Sequence, residues 1–144
     1  MKVVLGSDEK TELTDAVWRD LEDRGHDVVA VGPPAGDDLQ WAAVGQAVGA
    51  RVASGEADCG VLFCWTGTGA SIAANKVSGC RAALCGDAQT ASGARRWNDA
   101  NVLVMSLRST SPAVASEMLD AWFSSQPDPS ESANVASLER DGDG

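Results

Sequence analysis

Five short apolar runs, each closed by a turn signal, constrain this chain more than any other feature. Val3-Val4-Leu5 ends at Gly6, and Val28-Val29-Ala30-Val31 ends at Gly32-Pro33-Pro34. Gly60-Val61-Leu62-Phe63-Cys64 enters a threonine–glycine loop, Ala82-Ala83-Leu84-Cys85 ends at Gly86-Asp87, and Val102-Leu103-Val104-Met105 ends near Ser106. None alternates polar with apolar residues, so each predicts a strand covered on both faces. Helical patterns lie between them. Leu13, Val17 and Leu21 recur at every fourth position, and Val44, Ala47, Val48 and Val52 form one stripe between Trp41 and Ala53. Ser71 to Lys76 reads as a short helix and Asp87 to Arg96 as a weak one, interrupted by Gly93. Ser111 as N-cap and Pro112 at the first helical position open a last helix through Phe123, which Pro127 and Pro129 stop.

Strand–helix alternation implies right-handed crossovers, hence an α/β fold. The expected architecture is a three-layer, Rossmann-like sandwich: a five-stranded parallel sheet with helices on both faces. Ligands in such a sheet sit at the carboxyl ends of the strands. Residues 1–124 are expected to form this domain, and residues 125–144 an acidic, flexible tail.

Charge excludes other classes. The 144 residues carry 21 acids against 11 bases, a net of −10, with three lysines and eight scattered arginines. Backbone recognition of nucleic acid needs clustered cations, so a nucleic-acid partner is not expected. No apolar run approaches the length of a membrane span, and Met1 to Gly6 reads as a strand rather than a leader. A soluble cytoplasmic protein is the expectation. Residues 127–144 hold five acids against Arg140, a net of −4, so the excess is concentrated at the end of the chain.

Chemistry concentrates in Cys64-Trp65-Thr66-Gly67-Thr68-Gly69-Ala70-Ser71-Ile72-Ala73-Ala74-Asn75-Lys76. A buried strand delivers the chain into a glycine-rich turn that opens a helix. Such a turn lets consecutive N–H groups converge on an anion. An ordinary tight strand-to-helix turn would show the same glycines. The stretch is neither a P-loop nor a full dinucleotide fingerprint.

This stretch, with Gly6-Ser7-Asp8, Val52-Ala53-Ser54-Gly55-Glu56-Ala57-Asp58, Arg81-Ala82-Ala83-Leu84-Cys85 and Asn98-Asp99-Ala100-Asn101-Val102-Leu103, resembles the ribose-5-phosphate isomerase B and galactose-6-phosphate isomerase family. The resemblance runs from residue 1 to about residue 123. It implies a homodimer or homotetramer with sites built from two subunits, and no metal or organic cofactor. It also implies interconversion of an aldose phosphate and a ketose phosphate through a cis-enediolate. Cys64 then falls at the position of the proton-abstracting cysteine. Thr66, Gly67, Thr68, Gly69, Ala70 and Ser71 would form the oxyanion-holding loop. A second branch of the family uses a glutamate where this chain has Ala70. Asp8 and Asn98 would orient substrate hydroxyls, and Arg108 would help hold phosphate. Packing, turn formation and surface ion pairing would explain the same residues without a substrate.

The chain departs from that pattern at informative places. Glu9 stands where the family has a histidine, and Trp97 stands where it has the ring-opening histidine. Indole is neither acid nor base at a useful pH, so Trp97 cannot open a ring. Trp41 replaces a tyrosine and Trp65 the first glycine of the loop. Trp41, Trp65 and Trp97 are therefore expected at one remodelled, more aromatic pocket, whereas Trp18 and Trp122 read as core. The single histidine, His26, lies in a helix–strand connection away from the expected site. Cys59, Cys64, Cys80 and Cys85 form two C-x4-C pairs, each spanning one strand, which points their side chains to opposite faces and argues against a metal site. The expected activity is aldose–ketose isomerisation of a sugar phosphate with an altered substrate, a short or open-chain sugar phosphate of four carbons being the suggestion. The competing reading is a catalytically inactive sugar- or anion-binding regulatory protein on the same fold.

Overall fold

The computed structural model describes residues 1–139; Arg140, Asp141 and Asp143 of the acidic tail lie outside the described residues. Strands β1 (Lys2–Ser7), β2 (Asp27–Val31), β3 (Cys59–Cys64), β4 (Ala82–Leu84) and β5 (Val102–Ser106) alternate with helices α1 (Glu12–Asp23), α2 (Trp41–Ala53), α3 (Thr68–Asn75), α4 (Ala88–Asn98) and α5 (Pro112–Ser124). All strand pairs are parallel, in the order β2-β1-β3-β5-β4.

Successive residues of the central strands point to opposite layers. Val3, Leu5, Val61, Phe63, Leu103 and Met105 join Leu13, Val17 and Leu21 of α1, Ala91 and Ala94 of α4, and Met118 and Leu119 of α5 in one core. Val4, Leu62, Val102 and Val104 join Val44, Val48 and Val52 of α2 with Ala70 and Ala74 of α3 in the other. The non-alternating strand pattern is thus the signature of two cores sharing one sheet. Cys59 belongs to the first core and Cys64 to the second, and Cys85 and Cys80 divide the same way.

Local signals place the helix ends. Thr11 and Thr14 form a capping box at α1, and the Asp87 carboxylate accepts the Thr90 N–H (2.7 Å) at α4. The Ser111 hydroxyl accepts the Val114 N–H (3.1 Å) at α5, with Pro112 at its first position. Helices α2 and α3 cross closely because α2 carries Gly45. A methyl there would lie 2.7 Å from the Ala73 Cβ and 2.8 Å from the Ala70 carbonyl oxygen. Close packing therefore fixes α3, and the loop that opens it, against the sheet.

The chain continues beyond α5 into the expected acidic tail. A single helical turn at Pro129–Glu131 leads into α6 (Ser132–Leu138). The Asp128 N–H donates to the Arg96 carbonyl (2.7 Å), and Arg81 pairs with Glu139, tying the segment to the domain. Among the described residues no helix is long and apolar enough to cross a membrane.

Candidate active site

Chain direction determines where chemistry can collect. From β1 the chain passes through α1 to β2 on one side; from β3 it passes through α3 toward β5 and β4 on the other. Connections therefore diverge between β1 and β3, and α1 and α3 cover opposite faces. A crevice at the carboxyl ends of two such strands is the usual ligand position of an open parallel sheet. Ser7 pairs with Phe63, so Asp8 and Cys64 leave the sheet side by side.

A cleft of about 270 Å³ opens there, lined by Asp8, Trp41, Cys64, Trp65, Thr66, Thr68 and Gly69. Cys64 is 5% exposed, and the Ala70 N–H is directed at its sulfur (3.5 Å). Burial pushes the Cys59, Cys80 and Cys85 thiols up to about 11, and all three pack in the two cores outside the cleft.

The loop geometry explains its composition. Gly67 caps α3 with φ 83°, the left-handed region that glycine adopts without strain. That turn starts α3 at Thr68, three residues before the expected Ser71. The first-turn N–H groups of Thr68 and Gly69 have no acceptor within the helix and stand at the cleft. Ser71 closes the first turn by donating to the Gly67 carbonyl (3.1 Å), while the Ala70 side chain is fully buried and offers only its N–H. The Thr66 and Thr68 hydroxyls bond each other (2.8 Å).

Asp8 differs from an ordinary turn aspartate. Its Oδ1 is buried without a hydrogen-bond partner, and burial, then the neighbouring charge of Glu9, raises its carboxyl above the usual aspartate range despite a backbone N–H that opposes the shift. Glu9 itself is exposed. Trp41 lies flat on the loop; a methyl at Gly69 would come within 2.8 Å of its ring. Trp65 is 58% exposed at the mouth. Its carbonyl accepts the Arg108 N–H (2.9 Å) and the Ser106 hydroxyl (2.9 Å), which anchor the loop to the end of β5. The Arg108 side chain is exposed and is not among the residues lining the cleft. Ser106 went unnoticed as a functional position; its only sequence signal is a serine closing an apolar run.

Trp97 and Asn98 are not brought to this cleft by their own chain. Helix α4 leaves the carboxyl end of β4 and runs back, so its last turn sits at the opposite end of the sheet. There the Trp97 ring folds over Gly93, and Asn98 lines a hollow of about 380 Å³ with Arg81 and Glu139. Within one chain the expected three-tryptophan mouth contains only Trp41 and Trp65. His26 stacks on Phe123 (4.2 Å between ring centroids) and faces the terminal amine, outside the cleft as expected.

Thiol, carboxyl and first-turn amides thus meet at the divergence point of a parallel sheet, the groups that proton transfer and oxyanion stabilisation require. A family model described as Ribose/Galactose Isomerase matches residues 3–138, and the chain belongs to that family. It is 38% identical over 106 residues to ribose-5-phosphate isomerase B of Escherichia coli, covering 74% of this chain and 71% of that one. It is 36% identical over 142 residues to D-erythrulose-4-phosphate isomerase 2 of Mycolicibacterium smegmatis, covering 96% and 93%. The ribose-5-phosphate isomerase B structure from Clostridium thermocellum superposes with a TM-score of 0.89 at 33% identity, covering 96% of this chain and 95% of that one.

Proposed function

We propose that this family member interconverts a four-carbon aldose phosphate and its ketose phosphate through a cis-enediolate. The observation that carries the reading is the meeting of Cys64, with its sulfur facing the Ala70 N–H, and the Thr68 and Gly69 amides in one cleft. Cys64 removes the proton from the carbon beside the carbonyl. The loop amides then hold the charge that develops on oxygen, a role worth about 3–4 kcal/mol per donor in comparable sites. Arg108, whose N–H meets the Trp65 carbonyl, holds the phosphate.

Substrate length follows from chemistry at Trp97. A furanose must be opened before its carbonyl can react, and Trp97 supplies no proton for that step. A four-carbon sugar phosphorylated on its terminal oxygen has no hydroxyl left to close a furanose ring, so it needs no opening. The name of the M. smegmatis relative points to the same substrate length.

The working unit is a homodimer. Trp97 and Asn98 lie at the far end of their own sheet, so a second copy, with its sheet reversed, is what would bring them to the cleft. Incubation with four- to six-carbon aldose and ketose phosphates in deuterated water tests the reading. Label should enter the carbon beside the carbonyl, with conversion, for the four-carbon compounds. Absence of exchange across the whole panel would favour the inactive binding protein.

A further inference from the structure

The buried, unpartnered oxygen of Asp8 has a consequence beyond substrate positioning. Isomerisation moves two protons: one between carbons, and one between the two oxygens of the enediolate. Cys64 accounts only for the first. Resting on the isomerase reading, we propose that the protonated Asp8 carboxyl carries the second, giving its proton to one enediolate oxygen and taking one back from the other.

Four observations support this. Asp8 and Cys64 leave adjacent strands side by side and line the same cleft. Among the described residues of that cleft, Asp8 is the only carboxyl and Cys64 the only thiol; the rest offer indole, hydroxyl or backbone groups. Oδ1 of Asp8 is buried without a partner, a position that penalises the charge and favours the proton relative to an ordinary aspartate. Glu9 adds a like charge beside it, where the resembled family has a histidine. The lining groups from other elements, Trp41 of α2 and Trp65, Thr66, Thr68 and Gly69 of the loop opening α3, carry no charge; the cation Arg108 follows β5, where its N–H meets the Trp65 carbonyl.

The step balances without a co-reactant. The Cys64 thiolate takes the proton from the hydroxyl-bearing carbon of the aldose, and the C–H electron pair forms the enediolate double bond. The aldehyde oxygen takes the Asp8 proton, leaving a carboxylate. That carboxylate then accepts the hydroxyl proton of the neighbouring oxygen, whose electrons form the ketone. The thiol returns its proton to the former aldehyde carbon. Because the two oxygens of a cis-enediolate lie on one side, a single carboxyl reaches both.

Asp8→Asn tests this in deuterated water, with a melting curve to show that the variant folds. Cys64 can still form and reprotonate the enediolate, but proton transfer between the oxygens is lost. Conversion should fall about 100-fold or more. Exchange into recovered substrate should fall far less, so the exchange-to-conversion ratio rises roughly tenfold or more. An equal fall in both, with a raised KM, would reduce Asp8 to orienting the substrate and overturn the proposal. Glu9→Gln provides a second readout. With the neighbouring charge gone Asp8 becomes more acidic, so the alkaline limb of kcat, where the Asp8 proton is lost, moves to lower pH and kcat at neutral pH drops. An unchanged neutral kcat and alkaline limb, with the acid limb moved to lower pH instead, would identify Asp8 as a carboxylate that only orients and overturn the proposal. A wild-type protein that neither converts nor exchanges any sugar phosphate would instead defeat the isomerase reading itself.

Discussion

Gly67→Ala separates what the loop contributes to folding from what it contributes to chemistry. At φ 83° a side chain costs about 1–2 kcal/mol of backbone strain. The new methyl would lie 2.5 Å from Leu84 Cδ1 and 3.4 Å from the Met105 carbonyl group. Leu84 sits on the edge strand and is 40% exposed, so its side chain can swing away at little cost. The contact with Met105 is an ordinary one. Loss of chain entropy in the unfolded state returns about 0.4–1 kcal/mol. The net loss of stability should be about 1 kcal/mol, a fall in Tm of roughly 3–4 °C for a chain of this size. The activity loss should be larger. Relaxing the strained turn redirects the Thr68 and Gly69 amides, and loss of one such donor costs about 10²–10³ in kcat. Urea denaturation and initial-rate kinetics on the same preparation read both quantities. Near-wild-type kcat would refute the reasoning that this turn aims the oxyanion donors. A stability loss above about 3 kcal/mol would show that the turn is mainly structural.

Other outcomes follow from the same geometry. Asp8→Asn should raise stability at neutral pH, because the amide removes the charge that burial and Glu9 penalise. A carboxyl whose folded-state value is raised favours the folded state below its unfolded value of 3.8 and loses that advantage as pH rises, so the gain should vanish in acid. Gly45→Ala should cost about 1–3 kcal/mol by separating α2 from α3, and kcat should fall because α3 carries the loop. Mixing inactive Cys64→Ala and Asn98→Ala subunits should restore part of the activity by subunit exchange, since a mixed dimer carries one complete cleft. No recovery would confine the site to one chain.

The strands were legible because two-sided burial leaves runs such as Val102-Leu103-Val104-Met105 without polar alternation. The helix caps Thr11, Asp87, Ser111 and Gly67 are local hydrogen-bonding or dihedral effects, but only Ser111 was read as one in advance. What the chain does not display locally is strand order. Asp8 and Cys64 are 56 positions apart, and their meeting depends on β1 pairing with β3. Trp97 is a related case: its neighbours in sequence match site residues, yet α4 runs away from the cleft of its own chain. Helix α6 was missed because its few apolar residues make no stripe. Its anchors, Asp128 to Arg96 and Glu139 to Arg81, are contacts distant in sequence.

The most direct measurement is solvent-deuterium exchange and conversion with a four-carbon aldose phosphate by wild-type protein and by Cys64→Ala. The wild type should place label on the carbon beside the carbonyl and form the ketose. Cys64→Ala, melting within a few degrees of the wild type, should do neither, with conversion reduced by about 10³ or more. Comparable exchange in the folded variant would remove Cys64 as the base and contradict the account.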